Sequence, residues 1–216
     1  MKKKLIIFDL DGTLLDTLGD LHASVNFALE LQGLPPRSLE EVRSFVGNGI
    51  FNLICRAVPQ GTSEEIINAV FDAFKAHYAA HSMDLTRPYE GIGELLSRLK
   101  AAGCRLGVVT NKADFAAKPI IAHYFPGLFD SVVGERQGVR RKPAPDTVLE
   151  VMRSMSCTPE DSVYIGDSDV DLQTAENAGC QCIGVSWGFR GRKFLEEKGA
   201  ELIADSAEEL AAMLGV

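Results

Sequence analysis

Residues 2–17 read KKKLIIFDLDGTLLDT. Leu5-Ile6-Ile7-Phe8 has the continuous apolar character of a buried strand, and Asp9 and Asp11 follow it immediately. Residues two apart on extended chain point the same way, so both carboxylates are expected side by side at one strand end. The rest of the chain must explain why a core strand ends in paired negative charges.

The 216 residues suffice for one domain of ordinary size or a domain carrying an insertion. With 46% hydrophobic and 24% charged residues, a real core can be buried. The net charge of −8, with no basic stripe, argues against a nucleic-acid partner. No segment is long enough to span a bilayer, and the four apolar residues after Lys2-Lys3-Lys4 are too few for a signal peptide. Five cysteines without a CxxC pair (Cys55, Cys104, Cys157, Cys180, Cys182) read as reduced core thiols, hence a cytoplasmic protein.

From about Asp16 to His81 the periodicity is helical only. Leu18, Leu21, Val25, Ala28 and Leu29 share one face; Ile66, Ile67, Val70, Phe71, Phe74 and Tyr78 share another. Ser38-Leu39-Glu40-Glu41 and Thr62-Ser63-Glu64-Glu65 both fit a capping box. Beyond Tyr89 strands and helices alternate: helix 92–102 ending at Gly103, strand 105–110, a helix, strand 131–133, helix 146–155, strand 162–166, helix 170–178, strand 182–185 and a last strand near Leu202. Strands joined through helices make a parallel sheet covered on both faces. The expected architecture is α/β: a Rossmann-like parallel core from residues 1–15 and 84–216, with an all-helical cap inserted at 16–83.

Ligands of such sheets bind beyond the strands' carboxyl ends. The polar groups there are Asp9 and Asp11, then Thr110-Asn111-Lys112, then Asp167-Ser168-Asp169-Val170-Asp171. Acids gathered at adjacent strand ends repel one another and need a cation, and oxygen donors without His or Cys suit Mg2+. Arg140-Arg141-Lys142-Pro143 offers a compensating lysine. Carboxylates, a divalent cation, a hydroxyl and a lysine suit phosphoryl transfer, in which one aspartate attacks phosphorus and a second manages protons. Asp11 is well placed for the second role.

These stretches, FDLDGT, VVTNK, RKPAP and GDSDVD, resemble in order the four motifs of the haloacid dehalogenase superfamily, in its phosphoglycolate-phosphatase-like branch with a helical cap. The resemblance implies Asp9 as nucleophile and Asp11 as general acid/base. It implies Mg2+ held by Asp9, the Asp11 main-chain carbonyl and Asp167, with Asp171 a ligand or a holder of metal-bound water. Thr110, Asn111 and Lys142 would hold the phosphoryl group, and Gly12 with Thr13 would turn backbone amides toward it. The implied substrate is a small phosphorylated metabolite, above all 2-phosphoglycolate, and the implied state a monomer or homodimer with no membrane partner.

Other features are weighed against plainer readings. Arg43 and the Gly47-Asn48-Gly49 loop make a helix-to-helix turn or, as cap residues, clamp a substrate carboxylate. His77 and His81 have zinc-binding spacing but no third ligand, and read as exposed cap histidines. Asp169 reads as solvated and Trp187-Gly188-Phe189 as packing. A β-phosphoglucomutase-like isomerase would share every core motif, and a pyrophosphatase or nucleotidase would differ only in substrate. A phospho-accepting receiver module would be shorter and lack the second acid of the DxD pair.

Overall fold

The computed structural model describes residues 3–47 and 49–216. In chain order it begins with β1 (Leu5–Phe8) and β2 (Leu15–Asp16), then α1 (Leu18–Leu31), α2 (Leu39–Phe45), α3 (Ile50–Ala57) and α4 (Glu64–His81). After β3 (Arg87–Pro88) come α5 (Ile92–Ala101), β4 (Arg105–Ala113), α6 (Asp114–Tyr124), β5 (Ser131–Glu135) and α7 (Asp146–Ser154). The chain ends with β6 (Ser162–Gly166), α8 (Asp169–Ala178), β7 (Gln181–Val185), α9 (Gly191–Glu197), β8 (Ile203–Ala204) and α10 (Ala207–Leu214). It divides into two compact units, residues 1–15 with 88–216, and residues 16–87.

In the first unit, six strands form a parallel sheet in the order β5-β4-β1-β6-β7-β8. β1 is central because successive connections run outward from it on one side and then on the other. That reversal is the topological switch point where open α/β sheets bind ligands. The residues of β1 alternate between two cores. Ile6 and Phe8 join Leu106, Val108, Leu96 and Leu210 on one face; Leu5 and Ile7 join Val109, Val151, Tyr164 and Ala175 on the other. Burial on both faces explains why these strands read as unbroken apolar runs.

The second unit is helical. Leu21, Val25, Ala28 and Leu29 of α1 and Val70, Phe74 and Tyr78 of α4 are buried, and these helices pack together. Ser38 and Glu41 form the expected reciprocal cap. The second expected box is corrected: Ser63, not Thr62, caps α4, and its third helical residue is Ile66, which carries no carboxylate to answer. Ile66 is also exposed rather than part of the apolar face. His81 is exposed as expected, but His77 is not. His77 is half-buried, bonded to Ser24 Oγ and stacked between Phe27 and His81. All five cysteines are free thiols, but only Cys104 is buried, and Cys55 is exposed. No helix among the described residues is long and apolar enough to cross a membrane.

Asp20 is the polar anchor of this helical unit. It is 2% exposed, and its carboxylate accepts from Leu85 N (2.8 Å), Thr86 N (2.9 Å) and Thr86 Oγ1 (2.7 Å). Removing the acceptor strands buried donors at about 1–3 kcal/mol each. Asp20→Ala is therefore expected to cost about 3 kcal/mol in urea denaturation; a loss within the ~0.5 kcal/mol typical of surface substitutions would show that the anchor is dispensable.

Candidate active site

The carboxyl ends of β1, β4 and β6 lie side by side, and the predicted residues of the first unit gather there. Asp9 continues the β1 ladder, its N–H donating to Ile165 O at 2.8 Å. The chain then turns at Gly12, whose φ of 84° suits glycine; a Cβ there would lie 2.5 Å from an Asp167 oxygen. The turn uses its own amides: Gly12 N donates to Leu15 O, and Thr13 N to Leu10 O. The sharp turn expected of Gly12 is present, and the amides of Gly12 and Thr13 themselves are engaged within it. Gly12 and Thr13 shape the turn, and the Thr13 hydroxyl donates to Asp167 Oδ1 at 3.4 Å.

Lys142 lies at the centre of the charge cluster. Its Nζ is 3.0 Å from Asp9 Oδ1, 2.7 Å from Asp171 Oδ1 and 2.9 Å from the Tyr164 hydroxyl, with the side chain 3% exposed. Asn111 Nδ2 donates to the Lys142 carbonyl at 3.2 Å, tying the lysine's loop to β4. Asn111 is no helix cap, since Ala113 occupies that position of α6. The Thr110 hydroxyl accepts from Lys112 N at 3.2 Å, which leaves its own proton to donate elsewhere. Asp171 is saturated: its other oxygen accepts from Ser168 N and Oγ. Asp167 accepts from Phe189 N at 2.7 Å, and Trp187 Nε1 donates to Thr13 O. The Trp187–Phe189 stretch therefore braces the site as well as packing.

Burial dominates the electrostatics. It pushes the Asp9 carboxyl up to about 7, helped by Asp171 and Asp11 and opposed by Lys142. Asp167 is raised well above the usual carboxylate range by burial, then by Asp171 and Asp9. Burial also works against the Lys142 charge, but Asp171 and Asp9 outweigh it and hold the ammonium protonated.

Too many carboxylates share one cation. Asp9, Asp167 and Asp171 each bring an oxygen within 4.8 Å of the others, and all three are buried. Among the described residues nothing donates to Asp9 Oδ2, whereas Asp171 has both oxygens engaged. The donor set is all hard oxygen, so the cluster fits a divalent metal. Asp11's carboxylate lies outside it and pairs with Lys112 instead, Nζ to Oδ1 at 3.0 Å.

The remaining predicted residues belong to the helical unit. Arg43 sits on α2 with Nη1 3.4 Å from Glu40, and Gly47 follows that helix with a φ of 121°. Asn48 lies outside the described residues. Sequence reasoning left Lys112 and Tyr164 without a role. TNK and SVYIG showed a polar strand end and a strand, but not that both side chains are buried beside acids.

The family model for haloacid dehalogenase-like hydrolases matches residues 6–185. A phosphoglycolate phosphatase of Pseudomonas putida is 33% identical across 96% of this chain and 78% of its own length. One from Vibrio parahaemolyticus is 33% identical across 99% of this chain and 96% of its own. A crystal structure from Lactobacillus delbrueckii subsp. bulgaricus, provisionally assigned as a phosphoglycolate phosphatase, superposes with a TM-score of 0.93 at 37% identity over 100% of both chains. Order of motifs, sheet topology and these likenesses agree: the chain belongs to the haloacid dehalogenase-like hydrolases.

Proposed function

We propose that this hydrolase is a Mg2+-dependent phosphatase that cleaves a small phosphomonoester, 2-phosphoglycolate above all, through an aspartyl-phosphate on Asp9. The observation that carries the reading is the arrangement around Asp9. One oxygen is held by Lys142 and by Leu10 N, while the other accepts no hydrogen bond from the described residues. The second oxygen is thus the one available to attack phosphorus.

In the first step Asp9 Oδ2 bonds to phosphorus as the bond to the leaving oxygen breaks, and Asp11 gives that oxygen its proton. In the second, water attacks the aspartyl-phosphate, Asp11 takes a proton from it, and the Asp9 carboxylate is released. Lys142 and Thr110 supply positive charge and a hydroxyl proton to the phosphoryl oxygens, and Asn111 keeps the Lys142 loop in place. Asp9 and Asp167, with the Asp11 carbonyl, would hold Mg2+, which when bound offsets the repulsion between carboxylate and phosphoryl group. Asp171 is assigned to Lys142 rather than to the metal. The helical unit takes the cap's part in selecting substrate, with Arg43, Gly47 and Asn48 assigned to the carboxylate of phosphoglycolate.

Three outcomes are expected. Asp9→Asn should abolish phosphate release from 2-phosphoglycolate with the circular dichroism spectrum intact; wild-type turnover in that variant would end the mechanism. Release of phosphate, rather than conversion of β-glucose 1-phosphate, separates hydrolase from isomerase. Arg43→Ala should raise KM for phosphoglycolate about tenfold or more, the scale of a lost charged hydrogen bond, while sparing 4-nitrophenyl phosphate, which has no carboxylate; an unchanged KM removes Arg43 from the clamp.

The third concerns pH. Asp9 holds its proton more tightly when folded, at about 7 against 3.8 for an ordinary aspartate, so the native state binds more protons between those values. In metal-free protein this group's contribution to stability is complete below the ordinary value and lost as pH rises toward 7. The slope from Asp9 is at most about 1.4 kcal/mol per pH unit. Thermal melts in EDTA should therefore fall from pH 5 to 7.5, and excess Mg2+ should restore stability at the upper end. A metal-free melting temperature independent of pH, with no Mg2+ response, would contradict the assignment.

A further inference from the structure

Between Val109 and Ala113, β4 departs from regular pairing. Val109 pairs with Val133 and Ala113 with Glu135, so Thr110, Asn111 and Lys112 stand opposite Gly134 alone. Such a bulge re-aims side chains, and here all three are buried. Gly134 makes room for it: a Cβ there would lie 2.5 Å from the Lys112 carbonyl and 2.6 Å from Asp114 Cα. Asp114 Oδ1 then accepts from Gly134 N at 3.0 Å and pins the two strands together.

The bulge delivers a second buried ammonium to the site. Lys112 Nζ lies 3.0 and 3.4 Å from the two oxygens of Asp11, with the lysine side chain 3% exposed and that of Asp11 17%. Lys142 is already committed to Asp9, Asp171 and Tyr164. The two lysines are therefore divided between the two acids of the DxD pair.

We propose that Lys112 is a positioning residue for proton transfer by Asp11, an inference that rests on the phosphatase reading above. Contact with both oxygens restricts rotation of the Asp11 carboxyl and holds it in one orientation. Because Lys112 N also donates to the Thr110 hydroxyl, the same three residues place a phosphoryl contact and the acid/base together.

The test compares kcat/KM for two monoesters, since this constant reports steps up to loss of the first leaving group. The alkoxide leaving from 2-phosphoglycolate needs a proton, whereas 4-nitrophenolate leaving from 4-nitrophenyl phosphate does not. General acids contribute roughly 10²–10⁴-fold. Lys112→Met should therefore lose at least about tenfold more on the alkyl ester than on the aryl ester, as Asp11→Asn should to a greater extent. Lys112→Arg should bring the ratio back toward wild type. The ratio is independent of how much of a preparation is folded; if Lys112→Met yields no soluble protein, Lys112→Gln is read in the same way. Equal losses on both esters would assign Lys112 to phosphoryl binding or to the fold, and no loss on either would remove it from the reaction; either result overturns the inference. Wild-type protein inactive on both esters would instead reject the phosphatase reading, and this inference with it.

Discussion

The ammonium of Lys142, 3.0 Å from Asp9 and 2.7 Å from Asp171, is the contact on which the catalytic unit is organised. Burying an unpaired carboxylate is expensive, and burying several together is more so unless cations accompany them. Lys142 answers two of the acids, and the Tyr164 hydroxyl takes its remaining donor. Among the described residues Asp167 accepts hydrogen bonds from the Phe189 amide and the Thr13 hydroxyl, both neutral, and the Arg190 charge offsets its burial only in part. The raised pKa values of Asp9 and Asp167 express the charge that remains unbalanced. Without a cation the cluster relieves that charge by holding protons, and a divalent cation would relieve it with the oxygen donors present.

Topology makes this cluster unavoidable. β1 is flanked by β4 and β6, so the residues that follow the three strands converge although more than 150 positions separate the first from the last. The glycine turn at residue 12 and the Trp187–Phe189 stretch then close around Asp167 from opposite ends of the sequence. The same contacts stabilise the fold and fix the geometry, so a change that relaxes one disturbs the other.

The sheet and its helices were legible because strands buried on both faces are apolar throughout and their connecting helices have clear 3.6-residue periodicity. β6 runs from Ser162 to Gly166 as read. What escaped was set by long-range contact. The polar TNK stretch ended the expected strand at Thr110, but pairing to β5 carries β4 on to Ala113 through a bulge that depends on a glycine in another strand. Tyr164 sits within an apolar strand, and only the fold brings its hydroxyl to Lys142 and the Val109 carbonyl. The short helices α9 and α10 were missed because their apolar faces are only two turns long. At Ser63 the local signal was ambiguous by one residue, and a one-residue shift removes the partner of a capping box.

Division of two lysines between two acids also makes the DxD pair an asymmetric one. Two carboxylates on one short turn, left to themselves, would share a proton and exchange roles. Here Asp9 is deeper, faces the Asp167–Asp171 cluster and is held through one oxygen, while the other accepts no hydrogen bond from the described residues. Asp11 is more exposed, lies outside the cluster and is gripped at both oxygens by a different cation. A carboxyl that moves protons needs access to leaving group and water, whereas a nucleophile needs a fixed lone pair and little competition from solvent. The environments of the two residues differ in those respects, so the asymmetry of the proposed roles has a basis in the backbone: a tight turn seats one acid in the core, and a bulge in the neighbouring strand brings a lysine to the other.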